Sequence, residues 1–317
     1  MFRDLNTYLR ERFGQRVQKV PIDAGFDCPN RDGTCGTGGC VFCSPRGSAA
    51  GFVDPVQSVS EQLAQGIESA RERYRASKFI AYFQAFTNTY LPDVQVVAGH
   101  AGLVSRLRAI YQPVLEHTDV VGLAIGTRPD CLPDEVIQLL LEIAREKLVF
   151  LELGLQSAHD VTLQTISRGH DVESFIDAVQ RVEDLRKLMA QPEQTSGLDI
   201  VVHIILGLPG ETKEMMLETA RLVTGLPVQG VKIHMLHVVR GTPLETMFEQ
   251  GQVTLMSLEE YVPLVCDVIE ILPPHMVIHR ITGEASRQDL VAPDWVLGKS
   301  EVRSRILAEM KRRQDGS

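Results

Sequence analysis

The sequence lacks any apolar run of eighteen residues, the length a helix needs to cross a membrane. Its opening stretch, MFRDLNTYLRERFGQRV, contains neither the apolar core nor the cleavage site of a secretory signal. We therefore predict a cytoplasmic protein without a membrane partner. A basic excess is also missing, because 41 acidic and 32 basic residues give a formal net charge of −9. This balance argues against a general nucleic-acid binder, although local basic patches at 71–78 and 311–314 stay open.

Cysteine is scarce outside one short, glycine-rich stretch. Four of the six cysteines lie in CPNRDGTCGTGGCVFC, residues 28–43. In a reducing compartment such a group favours metal or redox chemistry over disulfides. Cys40 and Cys43 form a C-x-x-C pair that brings two sulfurs to one metal centre, while Cys28 and Cys35 are more distant candidates. Three interpretations stay open: a structural zinc site, an iron–sulfur cluster with one open iron, and a glycine-rich loop with incidental cysteines.

Short apolar runs alternate with amphipathic stretches, a pattern typical of βα units around a parallel sheet. The predicted strands are 16–22, 78–83, 120–125, 148–153, 198–205 and 230–236, and the helices between them are 58–75, 93–112, 133–146, 171–190 and 211–224. No dinucleotide glycine fingerprint follows the first strand, which favours an open or partial barrel over a doubly wound fold. The pattern changes after residue 240, where we expect a helix at 257–271, an apolar run MVIHRI and a helix at 299–313. We predict a core of residues 1–240 and an extension of residues 241–317 packed on it.

Polar or glycine-rich segments follow the predicted strands. They are the cysteine loop, QAFTNT, GTRPDC, GLQS, GLPGET and HVVRGTP. In barrels, catalytic residues collect at the carboxyl ends of the strands. The sequence therefore predicts one active site built from these segments.

Seven motifs carry a resemblance to a known family. They are GFDCPNRDGTCGTGGCVFC, YFQAFTNT, TRPDCLPDEV, LELGLQSAHDVTLQTISRGHD, HIILGLPGE, GVKIHMLHVVRGTPL and HRITGEA. In this order, from about residue 14 to about residue 297, they resemble the radical S-adenosylmethionine (radical SAM) proteins of the YhcC/YtqA (MnmL) group. That group is similar to the elongator catalytic subunit and to radical coproporphyrinogen dehydrogenases. The resemblance implies a partial (β/α)6 TIM-like barrel with a C-terminal helical extension.

The resemblance also implies a cofactor and its ligands. Cys28, Cys40 and Cys43 match the three cysteines that hold a [4Fe–4S] cluster in the group, whereas Cys35 departs from the pattern. We interpret Cys35 as a bystander, with a reserve-ligand role as the alternative. The implied reaction is the reductive cleavage of S-adenosylmethionine at the open iron, which generates a 5′-deoxyadenosyl radical.

Six further residues are implied as cofactor contacts. Glu152, Gln156 and Arg168 match group positions that contact S-adenosylmethionine. We expect Arg168 to bind its carboxylate and Gln156 its ribose. Gln84 and Asn88 are predicted contacts of the methionine moiety. Arg128 either reaches substrate or cofactor or forms a structural salt bridge with Asp130.

Several residues near the last strands are candidates for the substrate pocket. His234 and His237 are separated by an odd number of positions, so both cannot face the core of a regular strand, and we expect one to line the pocket. His279 and Arg280 would meet the substrate if the C-terminal segment folds over the barrel mouth.

The substrate is the least determined feature. One branch of the group acts on the wobble uridine of tRNA, where it converts a 5-carboxymethylaminomethyl group to a 5-aminomethyl group, and the resemblance implies this activity here. It also implies a reductant such as flavodoxin or ferredoxin. The alternatives are a radical SAM enzyme that acts on a small metabolite and a zinc-stabilised binding protein.

Overall fold

A computed structural model of the chain describes residues 2–47, 53–190 and 197–315. The strands are β1 (Val17–Ile22), β2 (Lys78–Phe83), β3 (Val120–Thr127), β4 (Leu148–Gln156), β5 (Leu198–Leu206), β6 (Gly230–Met235), β7 (Val238–Val239), β8 (Val277–Arg280) and β9 (Leu290–Ala292). The helices are α1 (Leu5–Phe13), α2 (Val59–Tyr74), α3 (Pro92–Leu115), α4 (Asp134–Ile143), α5 (Asp160–Thr165), α6 (Val172–Leu188), α7 (Lys213–Thr224), α8 (Pro243–Glu249), α9 (Leu258–Ile271) and α10 (Lys299–Asp315). Within the described ranges, no helix is both long and apolar enough to span a membrane.

Seven strands form one parallel sheet in the order β1-β2-β3-β4-β5-β6-β8. The sheet curls into a half-barrel, which confirms the predicted partial barrel. All six predicted strands are present. A seventh strand joins them, because the apolar run at 276–281 supplies β8, which pairs with β6. The division at residue 240 stays a prediction, although β8 joins the same sheet as the strands before it.

The predicted helices begin where their sequences supply caps. Ser58 Oγ accepts a hydrogen bond from the backbone N–H of Glu61, and the backbone N–H of Ser58 donates one to the Glu61 carboxylate, so α2 begins with a capping box. Ser257 and Glu260 repeat this arrangement at α9. The helices cover the outer face of the sheet, where buried aliphatic and aromatic side chains such as Phe83 and Tyr111 form the main core.

Helix α1 was not predicted, and it closes the amino end of the barrel. Its Leu9 is buried in an apolar cluster with the inward side chains Ile80, Phe150 and Val201. Tyr8 donates a hydrogen bond of 2.6 Å to Asp199 at the start of β5. The barrel interior is therefore apolar at the amino ends of the strands.

Candidate active site

The cysteine loop follows β1 at the carboxyl end of the sheet, and Asn30 ties it to the segment after β4. The Asn30 side-chain amide donates hydrogen bonds of 2.6 Å to the carbonyl of Ser167 and 2.9 Å to that of Arg168. Gly169 adopts a φ of +78°, and a Cβ there would lie 2.1 Å from Asn30 Oδ1. Glycine is therefore required at position 169 for this contact. Sequence reasoning missed Asn30, because its partners lie more than a hundred residues away.

The predicted cluster ligands lie together in this loop as free thiols. Cys40 is buried, Cys28 and Cys43 are half-buried, and Cys35 is exposed. Burial raises the pKa of Cys43 to about 11, with the neighbouring Cys40 and Cys28 acting in the same direction and Arg31 against them. Cys28, Cys40 and Cys43 therefore share one local environment.

Nitrogen donors surround the sulfurs of this loop. Arg168 Nη1 lies 3.5 Å and Asn30 Nδ2 3.7 Å from Cys40 Sγ, and Arg31 Nη1 lies 3.8 Å from Cys43 Sγ. Such donors stabilise thiolates, which are the form of cysteine that binds metal. In the part of the chain that the structure describes, no three His, Cys, Asp or Glu side chains are grouped tightly enough for a single metal ion. The cysteines of a [4Fe–4S] cluster bind separate irons, so three thiols with surrounding donors fit that group.

Gln156 and Arg168 meet at the carboxyl end of β4. Both are at least nine-tenths buried, and Arg168 Nη2 donates a hydrogen bond of 2.9 Å to the carbonyl of Gly154. Arg168 Nε is buried and has no hydrogen-bond partner. Gln156 has a φ of 74°, which is rare for a residue with a side chain. Backbone strain and an unpartnered guanidinium nitrogen at one strand end are features of a ligand site.

Gln84 and Asn88 follow the carboxyl end of β2, which is separated from β4 by β3. Gln84 lines the same cavity as Gln156. Asn88 is fully buried, where its amide donates a hydrogen bond of 2.8 Å to the carbonyl of Gly126 and its Oδ1 has no partner. The contacts that we predicted from both residues to the methionine moiety stay a prediction.

Arg128 forms the salt bridge that was one of its two interpretations. Its Nε and Nη2 lie 2.9 and 2.6 Å from the carboxylate of Asp130, and its Nη1 donates a 2.7 Å hydrogen bond to the carbonyl of Arg168. The side chain is 2 % exposed. Arg128 thus holds the backbone of Arg168 in place, and its reach to substrate or cofactor stays a prediction.

Glu152 lies inside the barrel among three nitrogen groups. Lys19 Nζ is 2.8 Å and His203 Nε2 is 3.0 Å from its carboxylate, and the ammonium of Lys232 contacts it as well. Burial works to raise the pKa of Glu152, but Lys19 and Lys232 hold it well below its usual range. The two lysines were missed, although each is a single charge within an apolar strand pattern. Because both Glu152 oxygens have protein partners, its predicted cofactor contact stays a prediction.

The histidines near the last strands line the cavity with Arg280. His234 and His237 both line it, because the regular strand ends between them at Met235. The His234 ring lies 5.4 Å from that of His203, and its Nε2 has no partner. His279 packs edge-on against Phe150, and its Nδ1 is likewise unpartnered.

The cavity opens at the barrel mouth and between the edge strands, with a volume of about 1660 Å³. It reaches from Cys43 and Gln156 to the interior lysines. Its described lining includes nine lysines and arginines but only three acidic residues. The basic residues are Arg16, Lys19, Arg46, Arg73, Lys232, Arg240, Arg280, Lys299 and Arg303, and the acidic residues are Asp4, Glu284 and Asp289. In a chain of net charge −9, this separation of charge favours an anionic substrate.

Two family models match the chain. The model of the radical SAM superfamily matches residues 32–223, and that of the radical SAM C-terminal domain matches residues 228–312.

Curated relatives match nearly the whole length. YtqA of Bacillus subtilis is 42% identical over 312 residues, which cover 98% of this chain and 90% of the relative. YhcC of Escherichia coli is 41% identical over 291 residues, which cover 90% of this chain and 85% of the relative. A tRNA uridine(34) acetyltransferase of Dehalococcoides mccartyi is 29% identical over 51% of this chain and 33% of its own length. Among solved structures, Elp3 of Methanocaldococcus infernus matches with a TM-score of 0.60 and 19% identity over 94% of this chain and 63% of that chain.

Proposed function

Because the chain belongs to the radical SAM superfamily, whose members use a [4Fe–4S] cluster and S-adenosylmethionine, we propose that it modifies the wobble uridine of tRNA. The proposed reaction converts a 5-carboxymethylaminomethyl group to a 5-aminomethyl group. S-adenosylmethionine, cleaved to 5′-deoxyadenosine and methionine, would be the two-electron oxidant, and water would release the oxidised carboxymethyl group as glyoxylate. The chain is an enzyme of this superfamily; the proposal concerns its substrate.

The concentration of basic residues around one cavity is the observation that carries this proposal. Nucleic-acid binding depends on cations that face the phosphates, and the net charge of the whole chain is less important than where the cations lie. Arg16, Arg73, Arg240 and Arg303 line this cavity with exposed side chains. They supply a basic surface in a chain that is otherwise acidic. The similarity to tRNA uridine(34) acetyltransferases over half of the chain supports the same substrate class.

The proposed cofactor site uses the residues at the barrel mouth. Cys28, Cys40 and Cys43 would hold the cluster, and its open iron would be free for S-adenosylmethionine. The bound cluster supplies the electron that breaks a carbon–sulfur bond of this cofactor. Arg168 binds the cofactor carboxylate and Gln156 its ribose. A charge-assisted pair suits Arg168, because its guanidinium is already fixed against Gly154.

Superfamily members need an external reductant. We propose a flavodoxin or ferredoxin in the cytoplasm. The exposed Cys35 side of the loop is where such a protein would approach, because the buried side faces the segment after β4.

Nucleoside mass spectrometry tests the proposal. The cluster-loaded protein is incubated anaerobically with S-adenosylmethionine, reductant and tRNA that carries 5-carboxymethylaminomethyluridine. We expect 5-aminomethyluridine together with 5′-deoxyadenosine, and neither product from Cys43→Ala. If 5′-deoxyadenosine forms while the wobble nucleoside keeps its mass, the tRNA proposal is wrong, and a small metabolite becomes the substrate to seek.

A further inference from the structure

Three nitrogen-bearing side chains lie at one level across adjacent strands inside the barrel. His203 on β5 pairs in register with Lys232 on β6, and Lys232 pairs with Arg280 on β8. Like charges side by side on neighbouring strands destabilise a sheet unless an anion lies between them. This row therefore needs negative charge.

The lysines and the arginine on and beside this row outnumber the carboxylates that pair with them. Glu152 is shared by Lys19 and Lys232, and Glu284 is shared by Arg280, at 2.7 Å, and Lys299. Each carboxylate thus faces two cations. The imbalance around Glu152 has the larger electrostatic effect, because the side chains of Glu152 and Lys232 are 0% and 4% exposed and water screens them little. With both lysines protonated, the buried group around Glu152 carries one surplus positive charge. Burial, together with Lys19 and Arg280, holds the pKa of Lys232 well below its ordinary value, so an anion added here would stabilise its ammonium form.

Two buried hydrogen-bonding atoms beside the row are also unpartnered. They are Nε2 of His234 and Nδ1 of His279. Buried polar atoms nearly always have a partner in a folded protein, so an exception that lines a cavity indicates a missing ligand. Burial holds the pKa of His234 well below its ordinary value. The ring is therefore neutral and can donate one N–H without adding charge.

We propose that Lys232, Arg280 and His234 bind a carboxylate group of the substrate. A guanidinium offers paired N–H donors that match the two oxygens of a carboxylate, and the ammonium and the imidazole add one donor each. A single buried surplus charge matches a monoanion. A phosphate monoester, with a charge of about −1.5 to −2, would exceed it.

The position of this subsite orients the substrate. His203 and Lys232 lie level with Gly154, two residues below Gln156 on β4. The carboxylate therefore points toward the amino ends of the strands, and the reacting carbon faces the mouth, where we place S-adenosylmethionine. This inference deepens the proposed function, since it names the group that the barrel holds.

Acetate is the probe for the test, and acetamide is its uncharged control. The cluster-loaded protein is saturated with S-adenosylmethionine, so that Arg168 is not available to acetate. Thermal unfolding midpoints are then measured against ligand concentration at constant ionic strength. We expect acetate to raise the midpoint in a saturable manner and acetamide to leave it unchanged. The dissociation constant for acetate should rise about tenfold or more in Lys232→Met and in Arg280→Gln.

Matched variants separate this subsite from general electrostatics. Arg240→Gln removes one positive charge from the rim of the same cavity, where the side chain is 69% exposed, and we expect it to bind acetate like the wild type. Lys232→Met leaves Lys19 paired with Glu152, and Arg280→Gln leaves Lys299 paired with Glu284, so each keeps a balanced ion pair. If Lys232→Met does not fold, Arg280→Gln decides. Equal responses to acetate and acetamide, tighter binding of inorganic phosphate, or unchanged affinity in the folded variants would overturn the proposal.

This experiment contains no tRNA, so its outcome is separate from that of the proposed function. Acetate binding at the subsite without any change in tRNA would keep the carboxylate site and reject the wobble uridine. Conversion of the wobble uridine by a protein that does not respond to acetate would reject the carboxylate site alone.

Discussion

The guanidinium of Arg168 lies 3.5 Å from the sulfur of Cys40, although 128 positions separate the two residues. A residue proposed to bind S-adenosylmethionine therefore contacts a residue proposed to bind the cluster. The same guanidinium donates to the carbonyl of Gly154. The Arg168 side chain thus links the proposed cofactor site and the proposed cluster site to strand β4. A substitution at Gly154, beside its guanidinium, should therefore disturb its position.

Gly154→Ala should weaken binding of S-adenosylmethionine while the fold is kept. An added Cβ would lie 2.5 Å from Arg168 Nη2 and 2.6 Å from Gln156 Nε2. Both atoms end flexible side chains, so they can move aside, but the move takes them from their cofactor-binding positions. Equilibrium dialysis of the cluster-loaded protein should show a dissociation constant raised by about tenfold or more.

Gly126→Ala is the matched control for that change. Gly126 lies on the adjacent strand β3, where an added Cβ would meet only backbone oxygens at 3.5 and 3.9 Å, which is ordinary contact. The affinity of this variant for S-adenosylmethionine should stay near that of the wild type. Equal losses in both variants would mean that the sheet, and not the two side chains, determines cofactor binding.

Replacement of single cysteines should divide the loop into ligands and a bystander. Alanine at Cys28, Cys40 or Cys43 removes a thiolate, so iron content should fall well below about four per chain, and 5′-deoxyadenosine should disappear. Cys35→Ala should keep both, because Cys35 is exposed, whereas Cys40 and Cys28 are the neighbouring cysteines that raise the pKa of Cys43. Iron loss from Cys35→Ala equal to that from the other three would make it a ligand, and one zinc with no iron in the wild type would favour the zinc-stabilised protein.

Arg31→Gln should lower the reduction potential of the cluster. Arg31 Nη1 lies 3.8 Å from Cys43 Sγ, and a positive charge or N–H donor beside a ligand sulfur favours the reduced, more negative cluster. A redox titration followed by electron paramagnetic resonance should show a more negative midpoint. Arg73→Gln, at the C-terminal end of α2, is the control with the same charge change. A shift of equal size in both variants would assign the effect to overall charge.

Much of the fold could be predicted from the sequence, because buried parallel strands consist of runs rich in valine, isoleucine and leucine. The predictable part ended where an element is short or its partners are distant. β8 has four residues, too few for a period, and in α1 only Leu9 is fully buried, although Leu5, Tyr8 and Phe13 pack against the same cluster. Within the site, motifs pointed to Arg168 and Gln156. Lys19 and Lys232 could not be assigned from the sequence, because they contact the same carboxylate only in the folded barrel and no local sequence pattern predicts that contact.

Glu152→Gln should destabilise the protein strongly. It leaves Lys19 and Lys232 in the barrel interior without their counter-charge, and removal of one partner of a buried ion pair typically costs about 3–5 kcal/mol. The thermal unfolding midpoint should fall accordingly. Glu142→Gln, which breaks a half-exposed pair with Arg108 on the surface, should change stability by about 1 kcal/mol or less. Addition of Lys232→Met to Glu152→Gln should recover part of the loss, and a fully additive double variant would contradict the pairing.

Stability should fall as the pH falls from 7.5 to 5.5, and His203 should account for part of that fall. Burial, together with the charge of Lys232, lowers the pKa of His203 to about 4 from an ordinary value of 6.5. Between these values the unfolded chain binds a proton that the folded protein does not, so acid favours unfolding by about 1.4 kcal/mol for each pH unit below 6.5. Glu152 also loses its contribution in acid, but only below the ordinary pKa of a carboxyl, outside this range.

His203→Gln keeps an N–H donor for Glu152 but cannot titrate. It therefore separates the effect of protonation at position 203 from the effect of the hydrogen bond to Glu152. Unfolding midpoints measured from pH 7.5 to 5.5 should decline less steeply in this variant than in the wild type. His275→Gln provides the comparison, because this histidine lies on an exposed turn between α9 and β8. It should leave the pH profile unchanged. Parallel profiles for all three proteins would mean that His203 carries its proton in the folded state, and the neutral histidine assigned to the Glu152 cluster would then be wrong.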